Sequence, residues 1–123
     1  MPIISNPSAT GRARPADEAR TGNPRTLANL DIDQAIAVYL DQQADQAAIG
    51  FIDALEKAYQ QLGHYPQSGS PRYAHELNIP GLRSWPIDGY PYTIFYVDCT
   101  SHVDIWRVLH GRRDIPAWLQ DPV

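Results

Sequence analysis

A single cysteine, a single methionine, one lysine and two phenylalanines are all that this 123-residue chain has of those residue types. Cys99 alone cannot close an internal disulfide, so stability is expected to come from packing, in keeping with a reducing cytoplasm. The thiol itself reads as a small buried or half-buried strand residue. No apolar run reaches the roughly eighteen residues that a membrane helix needs, so no span is expected. Nor does an apolar stretch follow a basic start, as it would in a secretory leader. His64, His75, His102 and His110 are not closely spaced with one another or with Cys99, so no metal site or cofactor is expected. A Gly-rich phosphate loop, a G-x-S-x-G elbow and an H-E-x-x-H pair are all missing.

Positive charge is scarce where a nucleic-acid binder would need it. The formal net charge is −4. Residues 1–25 hold Arg12, Arg14, Arg20 and Arg25 against Asp17 and Glu18, a balance of +2, which leaves −6 for the rest of the chain. Phosphate neutralisation supplies most nucleic-acid affinity, so direct sequence-specific binding to nucleic acid is not expected of so acidic a domain. A protein partner is compatible with it.

What is present falls into three stretches. Residues 1–24 mix Pro2, Pro7, Pro15 and Pro24 with Ser, Thr, Gly and Arg, and bury too little to offset their ordering entropy; they read as a disordered extension. Residues 25–123 then read as one domain. From Thr26, apolar side chains (Leu27, Leu30, Ile32, Ile36, Tyr39, Leu40) recur at three- and four-residue steps, the spacing of one helix stripe. Asp41-Gln42-Gln43 breaks the pattern, and Ala48, Phe51, Ile52, Leu55, Tyr59 and Leu62 resume it until Gly63 and Pro66 end it. So short a break implies an antiparallel helix pair. The carboxylates Asp31, Asp33, Asp41, Asp45, Asp53 and Glu56 sit mostly off these stripes and read as a solvated face.

Beyond Pro71 the period changes from 3.6 to 2. Strands are expected over Tyr73–Leu77, Leu82–Ile87, Tyr92–Val97 and Val103–Leu109, with Asp88-Gly89 as a hairpin turn and a short helical turn over Asp114–Leu119. The result is an α+β fold: an N-terminal helical hairpin packed on a small, twisted, mainly antiparallel sheet. Arg107 lies between Trp106 and Val108, where a charge is costly unless it is paired or at an edge. Asp88, Asp98, Asp104 and Asp114 are its nearest candidate partners in sequence. Arg83 precedes Trp85, and Arg112-Arg113 follow the last strand; arginine's planar fork suits either ion pairs that fix the sheet or recognition of a partner.

The segments "LR.WPI..YPY.IFY" (from Leu82) and "V.I.RVLHG.RDIP" (from Val103), together with "LDIDQAIAVYL" and "A..FIDALEKAYQQL" upstream, resemble the ParE branch of the RelE/ParE toxins of type II toxin–antitoxin, or plasmid stabilisation, systems. The resemblance runs from about Pro24-Arg25 to Trp118. It implies a bacterial, cytoplasmic toxin that inhibits growth by poisoning DNA gyrase and is neutralised by a ParD-like antitoxin from the same operon. It assigns no catalytic residue. Target-engaging candidates are Arg83, Arg107, His110, Arg112, Arg113 and Trp118, and antitoxin-binding candidates are Ile36, Tyr39, Leu40, Phe51, Leu55 and Tyr59.

The RelE branch implies a different activity, ribosome-dependent mRNA cleavage. Arg83 and Arg112 or Arg113 match its arginines, but its lysine pair near Arg72–Leu77 and its terminal tyrosine are not found here. A third reading is an inactive domain that binds only its antitoxin. The family's first strand should be apolar and precede Pro24, where this chain reads ADEARTGN. Either Ile3-Ile4 supplies that strand or it is lost.

Overall fold

The computed structural model describes residues 21–111 together with Ile115 and Leu119. Strand β1 (Thr21–Pro24) leads into helices α1 (Thr26–Asp41) and α2 (Asp45–His64), a short helix α3 (Arg72–Leu77), and strands β2 (Leu82–Pro86), β3 (Tyr92–Asp98) and β4 (His102–His110). The sheet order is β1-β4-β3-β2, with β1 parallel to β4 and the other pairs antiparallel. The expected α+β architecture is therefore present. No helix among the described residues is long and apolar enough to cross a membrane.

The helical hairpin follows from its stripes. Ala28, Ala35, Ala48 and Ala58 are all buried, so small side chains line the inner faces and let each helix approach its neighbours closely. Phe51, Leu55 and Leu62 supply the bulk. At the reversal Gln43 takes φ +56°, its amide donates to the Leu40 carbonyl, and the Ala44 amide donates to the Tyr39 carbonyl at 2.8 Å. This pair of bonds satisfies the last carbonyls of α1 in the manner of a Schellman cap, with Gln in the left-handed position usually held by Gly.

Three expectations are corrected. The first strand is not lost: Thr21–Pro24 pair with His102–Ile105, while Ile3-Ile4 fall outside the described residues. Parallel pairing at an edge uses only backbone groups, so the polar TGNP suffices. Gly22 lets α2 close down on it, since a Cβ there would sit 3.3 Å from the Tyr59 ring. The disordered extension expected over residues 1–24 accordingly fails at its last four residues, and residues 1–20 lie outside the described ones.

Second, the strand expected over Tyr73–Leu77 is helix α3. Tyr73, Ala74 and Leu77 share one half-buried face at helical spacing, Arg72 pairs with Glu76 one turn on at 3.2 Å, and Asn78 closes the helix at φ +54°. Third, Asp31 does not belong to the solvated face; it is buried beside Ala28 and Ala35.

The sheet is covered on both sides. On one face the hairpin packs over Ile94, Tyr96, Val103, Ile105 and Val108. On the other, Leu82, Phe95 and Leu109 are covered by Ile115 and Leu119, both helical, and by the α3 side chains. A bulge sets this pattern. Phe95 opposes Arg107 while Tyr96 opposes Ile105, which leaves Trp106 as an extra residue on β4. The added residue shifts the alternation, so Ile105 and Val108 both reach the hairpin side despite being three apart.

Candidate functional site

The bulge brings Arg107 into a buried ion pair. Its Nε donates to Asp31 Oδ2 at 2.7 Å and its second terminal nitrogen to Oδ1 at 2.8 Å, with both side chains under a tenth exposed. The same carboxylate accepts the Val108 amide at 3.0 Å. Strand β1 has ended by then: the Arg25 amide donates to the Ile105 carbonyl, and the chain turns into α1. Asp31 thus stands in for the missing strand residue on the free edge of β4 and ties α1 to the sheet. Asp31 lies on α1, 76 residues from Arg107 and far from the aspartates next to it in sequence. Asp104 pairs with Arg25 at 2.8 Å and accepts from the Trp106 indole, while Arg25 lies 4.3 Å over the Trp106 ring.

Beside this pair a groove of about 670 Å³ runs between α1 and the end of β4. Val38, Ala37 and Asp41 form one lip; Tyr92, Leu109 and His110 form the other. The His110 and Tyr92 rings meet edge to face, 5.1 Å apart. Tyr92 also packs on Phe51, which joins the groove to the aromatic cluster of Tyr39, Phe51 and Tyr90. Burial, with the neighbouring Tyr92 and Tyr90 phenols, raises the Tyr39 hydroxyl above its usual range.

Arg83 lies elsewhere. It opposes Tyr96 on β3, whereas His110 opposes Tyr92, so the two are separated by four residues along the strand, about 13 Å. Its guanidinium donates to the carbonyls of Gln67 at 3.2 Å and Gly69 at 2.7 Å. Gly69 in turn donates to the Tyr96 hydroxyl at 3.0 Å, and that hydroxyl donates to the Pro66 carbonyl at 2.7 Å. Arg83 and Tyr96 therefore clamp the loop between α2 and α3. Burial pushes the Tyr96 phenol up, against the lowering effects of the Gly69 amide and the Arg83 charge.

The remaining candidates divide by exposure. Arg107, a target-engaging candidate, is buried against α1. Phe51 and Leu55, antitoxin-binding candidates, are buried in the core. Ile36 and Tyr39 are half-buried, and Leu40 is exposed. Tyr59 is half-buried; its hydroxyl has no hydrogen-bond partner among the described residues, and burial pushes its pKa up to about 12. His110 is half-buried at the groove, while Arg112, Arg113 and Trp118 fall outside the described residues.

Sequence reasoning missed Val38 and Ile49, which are large, apolar and exposed. The signal was available: each lies off the dominant stripe of its helix, where an apolar residue has no core to enter.

Solved structures match this fold, among them one described as "Chromosomal ParDE TA system from P. aeruginosa". It is 15% identical with a TM-score of 0.62, and the alignment covers 76% of this chain and 97% of that one. At that identity the likeness is one of fold. No curated protein matches the chain. The family defined as "ParE toxin of type II toxin-antitoxin system, parDE" matches residues 25–115, a span that begins where β1 hands over to α1 and takes in α1 through β4. The chain belongs to the ParE toxin family of type II toxin–antitoxin systems.

Proposed function

We propose that this chain is the toxin of a ParDE-type pair: it acts in the cytoplasm, inhibits growth by poisoning DNA gyrase, and is held inactive by a ParD-type antitoxin docked over the helical hairpin. The family match over residues 25–115 carries the reading. The toxin unit includes Thr21–Pro24, which pair with β4. Within it, His110 and the Arg112, Arg113 and Trp118 segment that follows engage the target, while Arg83 positions the loop it clamps. Ile36, Tyr39, Leu40 and Tyr59 belong to the antitoxin side.

Gyrase is favoured over mRNA as the target by one feature of the sheet. The resemblance to the RelE branch would place its cleavage residues on the sheet face away from the hairpin. Here that face is filled by Leu82, Phe95 and Leu109 under α3, Ile115 and Leu119, and one terminal nitrogen of Arg83 is held by two backbone carbonyls. A packed apolar layer cannot also cradle an RNA strand, which needs cations on the phosphates and rings free to stack.

The test sets two reactions side by side. Purified chain added to gyrase and closed circular DNA should trap protein-linked double-strand breaks, whereas translating ribosomes given the same chain should keep their mRNA intact. Cleaved mRNA with unperturbed gyrase would reverse the assignment.

A further inference from the structure

Five large apolar side chains lie open on the hairpin: Leu30 at 52%, Val38 at 47% and Leu40 at 51% on α1, and Ile49 at 55% and Ile52 at 40% on α2. Single exposed apolar residues are ordinary, but five on two adjoining helices are not, and Val38 leads directly into the groove beside β4. Among them stand five exposed carboxylates, Asp33, Asp41, Asp45, Asp53 and Glu56, with Lys57 the only Lys or Arg on either helix. Asp31 is not counted, because its charge is spent on Arg107. Apolar patches flanked by one sign of charge select a partner with the opposite sign.

Resting on the antitoxin reading above, we propose that the antitoxin segment covering this hairpin is a cationic amphipathic helix. Its apolar residues at three- and four-residue steps pack on Leu40, Ile49 and Ile52 and seat one side chain in the groove beside Val38. Its lysines or arginines meet Asp33, Asp41, Asp53 and Glu56. Helix-in-groove recognition supplies the affinity, and the charges supply encounter rate and choice of partner. The balance of −6 over residues 26–123 extends the same steering field beyond the contact itself.

The probe is the antitoxin encoded beside this chain, titrated at 50 and 500 mM NaCl. With the unaltered protein, association should slow by about tenfold between the two salts, because screening shortens the reach of the field. A D33N/D41N/D53N/E56Q variant should bind about tenfold more weakly at low salt and lose most of that difference at high salt. V38S/I49S should bind weakly at both. All these positions are exposed, so thermal melts of the variants should match the parent. Tight binding that ignores salt and tolerates the four neutral substitutions would overturn the cationic segment and leave the antitoxin reading standing. No binding to the unaltered chain at either salt would overturn both.

Discussion

Replacing Asp31 by Ala should cost about 3–5 kcal/mol of folding stability, the loss expected when one member of a buried ion pair is removed. Three bonds go at once: two from the Arg107 guanidinium and one from the Val108 amide. What remains is a guanidinium stripped of its Asp31 carboxylate in a site under a tenth exposed, and a Val108 amide without that acceptor. In a domain of this size the melting temperature should fall by roughly 12 °C or more. Arg107→Ala should cost somewhat less, because Asp31 keeps the Val108 amide. The double variant Asp31→Leu/Arg107→Met should recover much of the loss, since a buried pair contributes little over apolar side chains of similar volume. Urea denaturation of the three variants gives the coupling energy directly. Asp31→Ala within about 0.5 kcal/mol of the parent, the range of ordinary surface substitutions, would refute the role given to this pair.

Gly69→Ala should be nearly as damaging, by a different route. A Cβ at position 69 would lie 2.6 Å from the Tyr96 hydroxyl and 2.8 Å from the Ser84 carbonyl. Neither atom is free to move: the hydroxyl is bonded to Pro66 and Gly69, and the Ser84 carbonyl accepts the Ser70 amide at 2.9 Å. Overpacking and broken buried hydrogen bonds together should cost on the order of 3 kcal/mol. Tyr96→Phe keeps the ring and removes only the hydroxyl, stranding the Gly69 amide and the Pro66 carbonyl, at a cost of about 1–3 kcal/mol. With that hydroxyl gone, the closest of three clashes disappears, although the Ser84 carbonyl and a Tyr96 ring carbon at 2.9 Å remain. The combined variant should therefore lose less than the sum of the two. Strict additivity in urea melts would show that the loop is not clamped through Tyr96.

Much of this architecture was legible because it follows periodicity. The stripes of α1 and α2, the β-branched and aromatic strands, and the Asp88-Gly89 turn (Gly89 φ +81°) are local patterns, and each is found where it was expected. The failures have physical reasons. A parallel edge strand needs backbone alone, so TGNP carries no strand signature. Tyr73, His75 and Leu77 alternate like a strand, but the face that packs is Tyr73, Ala74 and Leu77. Arg107 announced in sequence that it required a partner. The partner, 76 residues away, became nearest only through the β4 bulge and the point where β1 stops. Of the candidate residues, Leu40 is exposed and His110 lines the groove. The burial of Phe51 and Leu55 was not readable, because a stripe does not say which of its members lie deep in the core.

The most direct test of the toxin assignment is colony formation after induced expression, with and without the antitoxin from the adjacent reading frame. A folded toxin should abolish colony formation on its own, and co-expression of the antitoxin should restore it in step with recovery of a stable complex. Normal growth of cells that accumulate the soluble protein, shown by its melt to be folded, would contradict the assignment.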